Sequence, residues 1–181
     1  MIKVHTEIDN CFIFQLQKFT DKRGFFVKTY SKTIFNKLGL SFFDSHEEFY
    51  SLSNKDVIRG FHFQRPPNDH DKIIYCTKGR ILDVIVDLRR SSKTFLKHIK
   101  IDLSENSNKL VFIPKGCAHA FYTFEDDSII MYKVNSEYSQ QNDVGVNWKS
   151  FEIDWPMPSK EYIISERDNK LPLFSDFNNP F

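Results

Sequence analysis

The sequence predicts an all-β fold, a sandwich or jelly roll, with a short N-terminal helix. Short runs of alternating apolar and polar residues recur along most of the chain, and turn-forming residues separate them at regular intervals. Only residues 31–40 show a clear helical periodicity. An α+β arrangement is the alternative, because that helix comes early in the chain.

The composition favours a packed soluble domain, which we expect to span residues 1–181. Hydrophobic residues make up 40% and charged residues 27% of the chain, which is enough apolar surface for a core. The 19 phenylalanines predict that much of this core is aromatic. A net charge of +1 argues against general binding of nucleic acid or acidic membranes, although a local basic pocket is compatible with it.

The cysteines and the apolar runs indicate a cytoplasmic protein. No apolar run is long enough to span a bilayer, and residues 1–5 do not resemble a signal peptide. Cys11, Cys76 and Cys117 are far apart, odd in number and not arranged as C-x-x-C, so neither a disulfide framework nor a zinc knuckle is expected. A reducing compartment is therefore the expected location.

The first elements are two strands and the helix. Strands are predicted at 11–16 and 24–30, on either side of a turn-like Asp-Lys-Arg. Ser31 can cap the helix over 31–40, and Gly39 can end it. The apolar face of this helix consists of Ile34, Phe35 and Leu38.

The remainder of the chain is dominated by strands. A strand over 57–64 stops at Pro66-Pro67, since proline has no backbone donor. A hairpin joins 72–77 to 80–88, and residues 165–168 form a small capped helical turn near the C-terminus. In the second arm of the hairpin, one face consists of Leu82, Val84, Val86 and Leu88. The other face consists of Ile81, Asp83, Ile85 and Asp87. The other strands are expected at 95–103, 110–113, 121–124 and 128–134.

Two polar residues interrupt the strand over 57–64. His62 and Gln64 alternate with Phe61 and Phe63, so they share a polar face. One explanation is a core histidine with satisfied hydrogen bonds and a glutamine at the sheet edge. The other is a pocket lined by this face.

A second motif, IPKGCAHAFY at residues 113–122, contains the P-x-G-x-x-H spacing found in the second half of the cupin signature. Cupins often bind a metal through histidines of both halves and a glutamate. Here Gln64 stands at one histidine position, and Asp69 or Asp71 could only partly replace the glutamate. One imidazole per motif is a poor site for a divalent ion. No metal is therefore expected.

Three further polar residues have ordinary structural explanations when each is taken alone. Tyr132 shares a strand face with Ile130 and Val134, where it can pack with its hydroxyl at the rim. Lys72 at the start of a strand can be a solvated lysine, and Asp168 can be part of a helix cap. Only their combination with His62 suggests a common site.

Seven motifs follow one another along the chain: DKRGFF (21–26), VIRGFHFQRPP (57–67), DVIVDLR (83–89), IPKGCAHAF (113–121), YKVNSEYS (132–139), IDWP (153–156) and ISERD (164–168). In this order they resemble the dTDP-4-dehydrorhamnose 3,5-epimerase family, from Phe19 to about Asp176. The resemblance implies a cupin-type jelly roll, or double-stranded β-helix, without metal or cofactor. It also implies a homodimer that acts on a nucleotide-linked 4-keto-6-deoxy sugar.

The resemblance also implies catalytic roles for four residues. A ketone at sugar carbon 4 acidifies the protons on carbons 3 and 5, and epimerisation removes a proton from one face and returns one to the other. This chemistry needs a base, an opposing acid and a group that stabilises the enolate oxygen. His62 is implied as the base, with Asp168 fixing its tautomer, Tyr132 as the acid and Lys72 beside the developing oxyanion.

Substrate binding is implied for a second set of residues. Two arginines would contact the diphosphate or the sugar, because their guanidinium groups match phosphate geometry. Two aromatic rings would pack on the nucleobase or line its slot, and a second histidine would donate or accept hydrogen bonds in the pocket. The substrate-binding residues are Arg23, Phe26, Arg59, Gln64, His119 and Tyr138.

Three positions depart from the pattern of the family. Lys28 stands where typical members have glutamate, Glu47 where they have glutamine and Phe49 where they have asparagine. This region helps to seat the nucleotide and the sugar in the family. The departures therefore leave the identity of the nucleotide and of the sugar open.

The expected function is epimerisation at carbons 3 and 5 of a dTDP-4-dehydro-6-deoxyglucose type of sugar, for a deoxysugar of a surface polysaccharide such as lipopolysaccharide or capsule. The alternatives are an epimerase specific for carbon 3 and an epimerase of a differently linked 4-keto sugar. A 3,4-ketoisomerase would show a histidine pair that is not seen here. A non-catalytic sugar-nucleotide-binding cupin would not need His62, Tyr132 and Asp168 together.

Overall fold

The computed structural model describes residues 1–156 and 161–181, and within them strands predominate. The strands are β1 (Ile2–His5), β2 (Phe12–Gln15), β3 (Lys18–Asp21), β4 (Gly24–Val27), β5 (Glu47–Ser53), β6 (Ile58–Gln64), β7 (Lys72–Lys78), β8 (Arg80–Asp87), β9 (His98–Ser104), β10 (Lys109–Ile113), β11 (Cys117–Thr123), β12 (Ser128–Val134) and β13 (Asp143–Gly145). The helices are α1 (Lys32–Lys37) and α2 (Glu166–Asn169), and a 3-10 turn covers Phe174–Asp176.

Two antiparallel sheets form the sandwich. The six-stranded sheet has the order β1-β2-β10-β7-β12-β5, and the five-stranded sheet has the order β13-β6-β11-β8-β9. From β5 to β8, and again from β9 to β13, successive strands alternate between the sheets, as in a jelly roll. The predicted all-β fold is confirmed. A core cluster that includes Ile74, Ile85, Val111 and Ile130 draws on both sheets and lies between them.

Each sheet also has an apolar outer layer. Helix α1 and the following loop place Phe35 and Phe43 on the six-stranded sheet, where their rings lie near Phe14 and Phe112. The C-terminal segment covers the five-stranded sheet, with Trp155 among the residues of that cluster. The predicted alternation in β8 is confirmed, because Leu82, Val84 and Val86 belong to or pack on this outer cluster, while Ile81 and Ile85 face the inter-sheet core.

Several boundaries differ from the sequence-based expectation. Helix α1 is shorter than predicted, and β9 begins at His98 because residues 94–97 form a turn in which Leu96 adopts a φ of 60°. Strands β1, β3, β5 and β13 were not expected. Strand β5 is the edge of its sheet and carries exposed side chains on both faces, so it lacks the alternation that reveals a half-buried strand.

Gly60 allows strand β6 to approach strand β11 closely. Its φ is 122°, and a Cβ atom at this position would lie 2.5 Å from Cβ of Ala120 and 2.6 Å from the carbonyl oxygen of His119. A side chain there would therefore push apart the two strands that carry His62 and His119. Gly39 also has a positive φ, of 81°, but a Cβ atom there would meet nothing within 4 Å.

We expect Gly60→Ala to destabilise the protein more than Gly39→Ala. Both variants place alanine at a positive φ, which costs about 1–2 kcal/mol. Gly60→Ala adds a steric overlap that we expect to cost about 2 kcal/mol more. Urea unfolding of both variants measures the difference, and equal losses of unfolding free energy would show that the strand contact is not tight.

Candidate active site

A cavity of about 440 Å³ opens between the two sheets near one end of the sandwich. Seven of the ten residues that the sequence singles out line it. They are Arg59, His62, Gln64, Lys72, His119, Tyr132 and Tyr138.

Asp168 lies directly behind His62. Its side chain is buried, and Oδ1 lies 2.8 Å from Nε2 of His62, while Oδ2 accepts the backbone N–H of Gly60 at 3.1 Å. Burial acts to raise the pKa of Asp168, but the hydrogen bonds from His62 and Gly60 outweigh it and hold the pKa below its usual value. The carboxylate can only accept, so Nε2 of His62 carries the proton and Nδ1 keeps its lone pair.

The N-terminus of α2 fixes Asp168. The predicted cap is confirmed, since the hydroxyl of Ser165 accepts the backbone N–H of Asp168 at 3.0 Å. Asn147 donates to the carbonyl oxygens of Asp168 and Asn169, at 3.4 and 3.2 Å. A helix of only four residues is thus held by side chains at both its beginning and its end.

Lys72 begins strand β7 and is only partly exposed. Its Nζ donates to the carbonyl oxygen of His62 at 3.3 Å, which ties the lysine to the strand of the histidine. Burial lowers the pKa of Lys72 to about 8, against opposing effects of Asp143 and Asp83. The ammonium therefore loses its proton more readily than that of an exposed lysine.

Tyr132 occupies the opposite wall, because β12 belongs to the six-stranded sheet and β6 to the five-stranded one. Its hydroxyl lies 3.2 Å from that of Ser51, and its ring stacks on Phe49 with 4.9 Å between centroids. Burial raises the pKa of Tyr132, so the phenol keeps its proton. Phe49, one of the departures from the family pattern, is thus a direct neighbour of the proposed acid.

His119 forms a second histidine–carboxylate pair. Its Nε2 lies 2.5 Å from Oδ1 of Asp83, and both side chains are buried. The other oxygen of Asp83 has no hydrogen-bond partner among the residues that the structure describes. His119 also faces Tyr132 edge to face, with 6.3 Å between ring centroids.

Arg59 and Tyr138 lie at the exposed mouth of the cavity. Arg59 is anchored by its Nε to the hydroxyl of Ser53 at 2.9 Å and by Nη2 to the carbonyl oxygen of Leu52 at 3.1 Å. The side chain of Glu47 accepts the backbone N–H of Tyr138 at 2.9 Å. Glu47, a second departure from the family pattern, therefore helps to hold the loop that carries Tyr138.

Arg23 and Phe26 lie outside the cavity of their own chain. They sit on the β3–β4 hairpin, a separate two-stranded sheet, where Arg23 pairs with Asp21 at 2.6 Å and Phe26 is 58% exposed. Lys28, just beyond this hairpin, is exposed as well. The structure thus does not bring these three residues together with the rest of the site.

Four residues that line the cavity or support it were missed in the sequence. Ser51 lies on the unexpected strand β5, and Asp83 was assigned only to a strand face. Asp143 lies on β13, a strand too short to show a pattern. His70 lies in the loop after Pro66-Pro67, and its nearness to Lys72 in sequence was the one available signal.

In the described part of the chain, no three His, Cys, Asp or Glu side chains are grouped so that they could hold a metal ion. Nor does any helix there have the length and hydrophobicity needed to cross a membrane.

Comparison with known proteins identifies the family. A family model described as dTDP-4-dehydrorhamnose 3,5-epimerase matches residues 5–176. The chain belongs to this family. Among its relatives, the dTDP-4-dehydrorhamnose 3,5-epimerase of Shigella flexneri is 34% identical over 175 residues, which cover 96% of each chain. That of Methanothermobacter thermautotrophicus is 36% identical over 176 residues, covering 94% of this chain and 93% of the relative.

Solved structures of this family agree with the fold. The Bacillus anthracis dTDP-4-dehydrorhamnose 3,5-epimerase, with TDP and PPi bound, has a TM-score of 0.90 and 36% identity, covering 95% of this chain and 98% of its own. A Legionella pneumophila epimerase in complex with dTDP-4-keto-L-rhamnose has a TM-score of 0.91 and 28% identity, covering 98% and 94%. The cavity described above lies in a fold shared with nucleotide-sugar epimerases.

Proposed function

We propose that the protein epimerises a dTDP-linked 4-keto-6-deoxy sugar at carbons 3 and 5. The observation that carries the proposal is the placement of His62 and Tyr132 on opposite walls of one cavity, with Lys72 beside them. Epimerisation requires removal of a proton from one face of the sugar and its return to the other. Membership of an isomerase family and the ligands of the related structures support the same activity.

The contacts of each residue suit its role. The lone pair on Nδ1 of His62 takes the proton next to the ketone, and Asp168 stabilises the imidazolium that forms. The Lys72 ammonium balances the negative charge that develops on the oxygen at carbon 4. Tyr132, still protonated at neutral pH, donates a proton from the opposite wall.

An epimerase restricted to carbon 3 is the second candidate. A 3'-monoepimerase from Streptomyces bikiniensis, whose structure is in complex with dTDP-quinovose, has a TM-score of 0.86 and 25% identity. In this chain Phe49 stacks on Tyr132, and Ser51 bonds its hydroxyl, so the proposed acid is held from two sides. This restraint limits whether the Tyr132 hydroxyl can donate a proton to both carbon 3 and carbon 5.

Incubation with dTDP-4-keto-6-deoxyglucose in heavy water tests both candidates. We expect deuterium at carbons 3 and 5, read by mass spectrometry and NMR, and a loss of exchange rate of about 10²-fold or more in His62→Ala. The matched control is His98→Ala, because His98 is exposed on β9 and is not among the residues that line the cavity. Label at carbon 3 alone would favour the monoepimerase, and exchange at the parental rate in His62→Ala would refute the proposed base.

We expect the rate to fall as the pH rises through about 8, the value to which burial lowers the pKa of Lys72. The ammonium is present below this pH and is lost above it, and with it the charge that stabilises the enolate. Lys72→Arg keeps a cation at high pH and should remove this alkaline decline, even if its maximal rate is lower. A pH profile of turnover that shows the same decline in both proteins would assign it to another group.

We further propose a homodimer in which each copy completes the site of the other. Two exposed apolar surfaces support this: the hairpin with Phe19, Phe25 and Phe26, and the edge strand β5 with Tyr50 and Leu52. An uncovered edge strand of this kind promotes pairing with other chains. A partner's hairpin at the cavity mouth would also bring Arg23 and Phe26 to the substrate, which their own chain does not.

Mixing two inactive variants tests the shared site. Arg23→Ala and His62→Ala, unfolded together and refolded at equal amounts, should regain about a quarter of the parental activity, because half of the symmetric dimers would contain one intact site. Each variant refolded alone is the control. Absence of any recovery, in a mixture shown to be dimeric, would place each site within one chain.

We propose that the protein works in the cytoplasm, on the route to a deoxysugar of a surface polysaccharide. Cys11, Cys76 and Cys117 are all buried and free, which suits a reducing compartment.

A further inference from the structure

His70 is a third histidine of the cavity, and the proposed mechanism does not use it. It lies in the loop between β6 and β7, lines the cavity and is close enough to Lys72 for the two charges to interact. Its Nδ1 lies 3.0 Å from Nε2 of Gln64, a buried residue of β6. The Gln64 amide that contacts this histidine determines which of its ring nitrogens carries the proton.

Backbone groups fix the orientation of the Gln64 amide. Its Oε1 accepts the backbone N–H of Ser139 at 2.6 Å. Its Nε2 lies 3.0 Å from the carbonyl oxygen of Asn68 and 3.2 Å from that of Glu137. A backbone N–H can only donate and a carbonyl can only accept, so exchanging the oxygen and nitrogen of the amide would break all three contacts.

The fixed amide determines the tautomer of His70. Nε2 of Gln64 is a donor, and its two hydrogens are shared among two carbonyl oxygens and Nδ1 of His70. Because an amide nitrogen cannot accept, Nδ1 of His70 accepts and carries no proton. Burial lowers the pKa of His70 to about 3, and the charge of Lys72 acts in the same direction. The ring is therefore neutral at physiological pH, and its single proton is on Nε2.

The ring of His70 lines the cavity, and among the described side chains it is Gln64 that hydrogen-bonds it, at Nδ1. The backbone of Asn68 also acts on the ring, in the direction that raises its pKa. A neutral donor suits this place, since an imidazolium would repel the nearby ammonium of Lys72. Arg59 occupies the exposed mouth of the cavity, where its guanidinium is suited to binding an anion. His70 is half-buried beside Lys72, the residue proposed to contact the sugar ketone.

We propose that His70 is a further substrate-binding residue, which donates its Nε2–H to an oxygen of the sugar beside Lys72. Gln64 is then a positioning residue, because groups of the protein engage both its amide oxygen and its amide nitrogen, and one of these contacts sets the tautomer of His70. This inference rests on the proposed function. It assigns to the pocket a contact with the sugar that is separate from proton transfer.

Two substitutions of His70 separate its two nitrogens. His70→Asn places an acceptor near the position of Nδ1, so the contact with Gln64 is kept while the donor is lost. His70→Gln extends an amide donor to about the position of Nε2. We expect His70→Asn to weaken binding of dTDP-glucose about three- to tenfold, with His70→Gln recovering most of it, as for one neutral hydrogen bond.

Binding of dTDP alone identifies the source of the acceptor oxygen. Calorimetric titration should give the same affinity for dTDP in the parent and in His70→Asn, because the nucleotide lacks the sugar. An equal loss of affinity for dTDP and dTDP-glucose would assign the contact to the diphosphate and overturn the proposal. Thermal unfolding of both variants near the parental temperature would show that the loop is intact.

Nitrogen NMR of ¹⁵N-histidine-labelled protein reads the tautomer directly, with His70→Asn used to assign the signal. We expect the proton on Nε2 between pH 5.5 and 8, and a shift of this signal with dTDP-glucose but not with dTDP. A proton on Nδ1, or an imidazolium in this range, would refute the inference. If His62 responds to dTDP-glucose and His70 does not, the inference alone fails, whereas no response of any histidine would overturn the proposed function as well.

Discussion

The site depends on the hydrogen bonds that the buried carboxylate of Asp168 accepts. One oxygen accepts from His62 and the other from the backbone of Gly60, so a single side chain joins the C-terminal helix α2 to strand β6. A carboxylate in this position is costly unless it is fully hydrogen-bonded. The residue that orients the proposed base therefore also fixes the C-terminal segment on the outer face of the five-stranded sheet.

The same principle explains how the cavity holds several polar groups. His62 and His119 each pair with a buried carboxylate, and His70 pairs with a buried amide. The two carboxylates accept from the imidazoles of His62 and His119, whereas the Gln64 amide donates to Nδ1 of His70. The three histidines of one cavity are thus prepared for different chemistry by their partners.

Much of this fold could be predicted from sequence, because central strands alternate regularly. Strand β12 was predicted with its observed bounds, and β8 with its two faces assigned correctly. Edge strand β5 could not be found in this way, since neither of its faces is packed into the core of the single chain. Local periodicity does not show which strand pairs with an edge strand, nor whether another chain covers that edge.

The candidate site, like the fold, could be predicted only in part from the sequence. His62 could be singled out because it breaks an apolar strand, whereas the role proposed for Asp168 came from the resemblance to the family, since its place in a capped turn explains it equally well. The role of His70 could not, because it depends on which atom of Gln64 faces it, and that is decided by backbone groups of residues 68, 137 and 139. Such long-range hydrogen bonds have no signature in sequence spacing.

Two of the three expected departures from the family pattern, Glu47 and Phe49, line the cavity, whereas Lys28 lies outside it. Glu47 holds the loop of Tyr138, and Phe49 stacks on Tyr132, so both are integrated into contacts of this protein. Replacing an amide by an aromatic ring at position 49 removes a hydrogen-bonding group from the cavity and adds an apolar face. His70 supplies a neutral donor on the side of Lys72. The groups at positions 47 and 49 that a substrate meets thus differ from those expected for the family, while the residues proposed for proton transfer, His62 and Tyr132, line the same cavity.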